Sequence, residues 1–152
     1  MSKSTFYISA PFDTYSGYGA RSRDIIKAII ELDKYDVKLI PQKWGDTTWG
    51  FCAKHEEWKF LWQHAVQGIP QGVQPDIWMQ ITIPNEFHPM GKFNIGCTAG
   101  IESTGCQGEW VVGLNRMNMN FVSSKHSKHV FIYIFCKIVY KIFNILFTFI
   151  SS

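Results

Sequence analysis

The chain has 152 residues, 46% of them hydrophobic and 18% charged, which excludes a disordered protein and suits one globular domain with a sizeable core. Its net charge of +3 is unevenly placed: residues 1–109 hold ten Lys/Arg against twelve Asp/Glu, and residues 110–152 hold five Lys/Arg and no acid. The basic end suits phosphate or an anionic membrane surface, but no nucleic-acid motif accompanies it, so no nucleic-acid partner is expected.

Met1-Ser2-Lys3-Ser4-Thr5 leads straight into a short apolar run and lacks the hydrophobic stretch of a signal peptide. Cys52, Cys97, Cys106 and Cys136 lie far apart with no C-x-x-C pair. A reduced, cytoplasmic protein with free thiols is the expectation. His126 and His129 are spaced like metal ligands, yet with the upstream cysteines they match no zinc pattern. Neither a metal nor a cofactor is expected.

The run Phe6-Tyr7-Ile8-Ser9-Ala10-Pro11 predicts a strand over residues 5–10. Ile25, Ala28, Ile29 and Leu32 fall at i, i+3, i+4 and i+7 and predict a helix over residues 19–33. Between them lies Ser16-Gly17-Tyr18-Gly19. Strand, glycine turn, helix is the arrangement that aims backbone N–H groups and the positive end of a helix dipole at an anion. The two glycines remove Cβ atoms that would hold a phosphate off the backbone, and Arg21 or Arg23, just inside the helix, is placed to reach the same anion. The bland alternative is a tight turn with no ligand. Tyr35-Asp36 reads as a turn and residues 37–40 as a second strand closed by Pro41. Together these make a βαβ unit, hence a parallel sheet with a right-handed crossover.

Residues 42–54, with Trp44, Trp49 and Phe51, show no clean period and read as an aromatic-rich loop. Exposed tryptophans stack on sugar rings; packing onto the sheet uses them too, and packing is the expectation here. Residues 55–66 predict a second helix, with Glu56 and Glu57 in its first turn and Trp58, Leu61, Trp62 and Ala65 as its apolar face. A Gly/Pro/Gln linker over residues 68–75 leads to a third strand, 76–83, ended by Pro84. The fourth, 93–98, has the near-continuous apolar character of a strand covered on both faces. The next stretch, Ala99-Gly100-Ile101-Glu102-Ser103-Thr104-Gly105, falls at a strand's carboxyl end, where ligands gather in parallel sheets. Glu102 is therefore a candidate for binding a hydroxyl or a charge, with helix capping as the structural alternative. Residues 110–116 read as a short helix, 119–123 as a fifth strand, and Ser124 and Ser127 as N-caps of a following helix.

The expected fold is α/β: a Rossmann-like parallel sheet with helices on both faces over residues 1–130, followed by an apolar, basic tail over 131–152. Residues 131–150 are dominated by Phe, Ile, Tyr, Lys and Asn, without Gly, Pro or acid. Their length suits a membrane span of about 20 residues. The thirteen Phe, Ile, Leu and Val contribute about −5 kcal/mol, against which Lys137 and Lys141 cost about +5 to +7. Tyr133, Lys137, Lys141, Asn144 and Thr148 make one polar stripe on a helix, so a helix lying in the membrane interface is favoured over a spanning one. The same residues are β-prone, and such a tail is also an aggregation hazard. A reading-frame slip ranks first, ahead of the interfacial helix and then the span, because it produces this abrupt shift to residues with A/T-rich codons.

The motifs in order resemble a known family. After a first strand and S-G-Y-G with its helix come D-I-W-M-Q-I-T-I-P, N-I-G-C-T-A-G-I-E-S-T and L-N-R-M-N-M-N-F-V-S-S-K-H-S-K-H-V-F. The set, covering residues 5–131, resembles the N-terminal, acceptor-side half of a retaining glycosyltransferase of the GT-B fold, the group that includes sucrose and glycogen synthases. The resemblance implies two Rossmann-like domains facing across a cleft, with a nucleotide-sugar donor and a sugar or glycan acceptor as partners. It puts the donor's diphosphate near Gly17 and Gly19 and implies a metal-free reaction in which N–H groups and basic side chains stabilise the leaving diphosphate. The candidate binding residues are Ser16, Gly17, Tyr18, Gly19, Arg21 and Glu102, with no catalytic residue assigned. The family's donor-binding domain, with its pair of glutamates separated by seven residues, has no counterpart here; Glu102 and Glu109 are separated by six. The expectation is a truncated domain, inactive alone unless a partner chain supplies the second half.

Two rivals stand beside it. Gly17-Tyr18-Gly19-Ala20-Arg21-Ser22 matches the dinucleotide motif G-x-G-x-x-G except at its last position, but Ile40-Pro41-Gln42-Lys43 offers no carboxylate for a ribose. A non-catalytic α/β module with its tail on a membrane surface is the other.

Overall fold

The computed structural model describes residues 2–99 and 107–133. Strands β1 (Ser4–Ala10), β2 (Tyr35–Pro41), β3 (Ile77–Ile81), β4 (Phe93–Thr98) and β5 (Met119–Val122) form one sheet in the order β2-β1-β3-β4-β5. Every neighbouring pair is parallel. The expected α/β, Rossmann-like class is what the chain adopts.

Alternation along the strands divides the core in two. Phe6, Ile8 and Ala10 of β1, Val37 and Leu39 of β2, Met79 and Ile81 of β3, and Ile95 and Cys97 of β4 share one cluster. Against it lie helix α1 (Gly17–Glu31), through Ile26, and a 3₁₀ helix over Glu56–His64, through Leu61. The opposite cluster joins Tyr7, Trp78 and Val122 to Leu114 of α3 (Gly108–Asn115) and Phe131 of α4 (Lys125–Tyr133). Both faces are thus covered, which is why β1 and β4 read as nearly unbroken apolar runs.

Several local expectations shift. Tyr35 and Asp36 belong to β2, not to a turn: Tyr35 pairs with Ser4, and its ring meets Phe6 edge-on at 5.3 Å. The reversal sits earlier, at Asp33, which takes a left-handed φ of 50° and accepts a hydrogen bond from Lys3 at 2.5 Å. Helix α1 begins two residues early because Ser16 caps it, its Oγ accepting the Gly19 N–H at 2.9 Å. Residues 55–66 wind as 3₁₀ instead of α-helix. At three residues per turn, Trp58, Leu61 and His64 line up, whereas Trp62 is left 42% exposed. That geometry delivers His64 Nδ1 to the Val37 carbonyl at 3.2 Å and the Val66 N–H to Leu39 O at 2.8 Å. A parallel bridge between Leu39 and Ala65 completes a cover over the outer edge of β2, which would otherwise present unpaired backbone groups. A short α2 (Phe51–Lys54) lies inside the aromatic loop.

Ser124 caps α4, its Oγ accepting the Ser127 N–H at 3.0 Å; Ser127 itself lies within the helix. The helix runs across position 131, and Phe131 is fully buried. The polar stripe of the interfacial helix, the alternative span and the aggregation-prone run expected beyond residue 133 lie outside the described residues. No helix among those described is long and apolar enough to cross a membrane.

At the amino ends of the strands, one carboxylate ties β1 to β3. Asp76 accepts from Lys92 Nζ at 2.7 Å, Thr5 N at 3.0 Å and Thr5 Oγ1 at 3.1 Å. The Lys92 contact first, and then the Thr5 donors, hold its pKa at about 2, below the usual carboxylate range. A carboxylate with a depressed folded pKa adds stability that is present above its unfolded value and lost as pH falls through the folded one. We therefore expect Asp76→Asn to lower the urea midpoint at pH 6 and the wild-type advantage to close between about pH 4 and pH 2. Paired urea melts across that range check this, and a gap that stays constant down to pH 2 would refute the assignment.

Candidate functional site at the strand carboxyl ends

Parallel strands send all their carboxyl ends to one rim. The chain winds from β1 outward to β2, then returns to lay β3 on the other side of β1. Such a reversal leaves a crevice at the rim where the flanking connections part. Here a cavity of about 350 Å³ opens beside it. Ile81 of β3 with Cys97 and Thr98 of β4 line it from the sheet, Gly17, Tyr18 and Arg21 from α1, and Trp44 from the aromatic loop; Ala99 and Ser123 complete it.

The segment before α1 is held from several sides. Thr14 Oγ1 donates to Pro11 O and lies 2.8 Å from Ser16 Oγ. The Gly50 and Phe51 N–H groups donate to Asp13 O, and the Cys52 N–H reaches Asp13 Oδ1 at 2.8 Å. The Tyr15 N–H donates to Thr48 O, beside an antiparallel bridge between Thr14 and Trp49. The aromatic loop is thereby zipped to the glycine loop, and Trp44 stacks on Tyr18 with ring centroids 4.0 Å apart.

The two arginines part company. Two positions apart on an α-helix, they project roughly 200° from each other. Arg23 turns inward: it is buried, donates to Phe12 O and Thr14 O at 2.8 and 2.9 Å, and lies 3.4 Å over the Phe51 ring. Burial lowers its pKa, partly offset by nearby Cys52, Asp24 and Asp13. Arg21 stays exposed at the cavity.

The glycines divide too. A Cβ on Gly17 would meet open space, and as the first helical residue its N–H has no intrahelical acceptor. A Cβ on Gly19 would be driven into Thr14 O and within 2.7 Å of Thr14 Oγ1. Gly19 is thus small for packing; Gly17 is the glycine that leaves the cleft open.

Tyr18 spans the rim, with its hydroxyl 3.0 Å from Thr98 Oγ1 and accepting the Ala99 N–H at 3.1 Å. Cys97 is buried in the cavity lining, and burial pushes its thiol up to about 11 against the weaker pull of Arg21. Burial and Asp13 push Cys52 up to about 12. Both stay protonated at neutral pH, so neither supplies a thiolate nucleophile. Among the described residues no group of three or more His, Cys, Asp or Glu is placed to hold a metal ion.

Of the sequence candidates, Ser16, Gly17, Tyr18, Gly19 and Arg21 gather at this rim, Ser16 and Gly19 as supports and the other three on the cavity itself. Glu102 lies outside the described residues. Trp44, Thr98 and Ser123 were not among the candidates. The signals for them were the aromatic density of residues 42–54 and the carboxyl ends of the fourth and fifth strands. No family model, no curated protein and no solved structure matches the chain.

The glycine asymmetry is testable. Gly19→Ala should destabilise the fold by about 1–3 kcal/mol, as overpacking does, and Gly17→Ala should stay within about 0.5 kcal/mol of wild type. Chemical denaturation of both variants checks this; equal losses would show that the two positions are packed alike.

Proposed function

We propose that this chain is the acceptor-side half of a glycosyltransferase of the GT-B type, receiving part of a nucleotide-sugar donor and its acceptor in the cleft at the strand carboxyl ends. The observation that carries the reading is the convergence on one cavity of an open glycine at a helix start, an exposed cation and an aromatic side chain: Gly17, Arg21 and Trp44. Gly17 and the helix start suit a phosphate oxygen, Arg21 adds the charge, and an indole face suits the C–H side of a sugar ring. The order of motifs along the chain agrees with the same family.

The reading gives these 152 residues binding without turnover, since they contain no equivalent of the family's paired glutamates or its nucleotide-binding domain. In this reading the setting is the cytoplasm, with the basic tail contacting a membrane surface.

The test is a titration of ¹⁵N-labelled protein with UDP-glucose, ADP-glucose and GDP-mannose. At least one should shift the Gly17 amide and the Trp44 indole N–H together, and Arg21→Ala should weaken that binding about tenfold, the loss of one charge-assisted hydrogen bond. Sugar transfer should be undetectable with the chain alone. Failure of all three to move Gly17 would sink the binding site, and transfer by the isolated chain would sink the half-enzyme reading.

A further inference from the structure

The cavity already contains a polar contact of the kind a ligand makes. Tyr18 leaves α1 at the rim and crosses to the end of β4, where its hydroxyl accepts the Ala99 N–H at 3.1 Å. On the other side of the same Cα, in the following peptide, the Ala99 carbonyl accepts from Ser123 Oγ at 2.5 Å and from Ser127 Oγ at 3.3 Å. Ala99 is thus held on its carbonyl side by the residue after β5 and by α4, and on its N–H side by Tyr18. A main-chain donor at a strand's carboxyl end is what ligand oxygens take in parallel sheets, and a tyrosine oxygen holds it here.

The ring of the same residue does something parallel. It lies against Trp44 with planes 24° apart, covering an aromatic surface that borders the cavity. Arg21, also on the cavity, joins no ion pair with any described carboxylate. Ring against indole and oxygen against N–H are both supplied by Tyr18, and only the anionic partner for Arg21 is not. The volume of about 350 Å³ is at the low end for small-molecule sites; it suits a single ring bearing one phosphate.

We infer that Tyr18 occupies the seat of a ring-bearing phosphate and sets the cleft's specificity, yielding the Trp44 face and the Ala99 N–H when such a ligand binds. The inference rests on the preceding reading only in placing a ligand in this cleft. It requires a ring and an anion on one molecule, not that the ring be a sugar.

The experiment titrates the full chain, as wild type and as Tyr18→Phe, with inorganic phosphate, phenyl phosphate and glucose 1-phosphate, following amide and indole resonances. Tyr18→Phe keeps the ring and frees the Ala99 N–H, and its melting temperature verifies folding. A ring-bearing phosphate should shift Ala99 and the Trp44 indole in wild type and bind the variant about two- to tenfold tighter, the worth of one hydrogen bond no longer displaced. Inorganic phosphate should gain nothing from the substitution, and Trp44→Ala should reduce phenyl phosphate to the affinity of inorganic phosphate. Phenyl phosphate behaving this way while glucose 1-phosphate fails would uphold the Tyr18 assignment and remove the sugar from the functional proposal. Equal or weaker binding by Tyr18→Phe, or no movement of Ala99 with either ring phosphate in both proteins, would overturn the assignment.

Discussion

The Arg23 guanidinium, taken out of water without a carboxylate in direct contact, fixes the loop on which the cleft depends. Burying a cation is costly unless its donors are satisfied. Here two carbonyls, of Phe12 and Thr14, and the face of Phe51 do so. Because both carbonyls belong to the connection between β1 and α1, the same contacts that satisfy the charge set the path of that connection. Asp13 extends the effect by holding the backbone of Gly50, Phe51 and Cys52. The aromatic loop and the glycine loop therefore form one unit, and Trp44 reaches the rim because Arg23 does not.

Seen this way, the site is a consequence of winding and of one buried charge. The parallel sheet brings the ends of β3, β4 and β5 together without any specific residue at the rim. Specific residues then narrow the opening: Tyr18 from the helix, Trp44 from the loop, and the serines following β5 that hold the Ala99 carbonyl. Burial pushes the two described thiols, Cys52 and Cys97, above the usual thiol range.

How much of this is legible in the residues alone depends on the length of the pattern involved. The nearly unbroken apolar runs of β1 and β4 and the long apolar face of α1 give the sheet, its parallel sense and its first crossover. Short-range signals mislead where a distant partner decides. Tyr35-Asp36 looks like a turn until Ser4 and Phe6 pair with Tyr35, and residues 55–66 look α-helical until three-residue spacing serves the β2 edge through His64 and Val66. Within the candidate site, Ser16-Gly17-Tyr18-Gly19 stands out, yet the division of labour between Gly17 and Gly19, or between Arg21 and Arg23, follows from which atoms lie nearby, and sequence spacing carries no such information. Trp44 is the clearest omission, since an aromatic in an aperiodic loop gives no hint of which surface it will face.

On the opposite face, Gly113 of α3 lies so close to the Pro84 carbonyl that even a single added carbon has no room. The helix it belongs to also carries Trp110, whose ring lies 6.5 Å from that of Phe131 in α4. Room at position 113 is therefore decided by main-chain atoms of the segment after β3, which no change of rotamer can move aside.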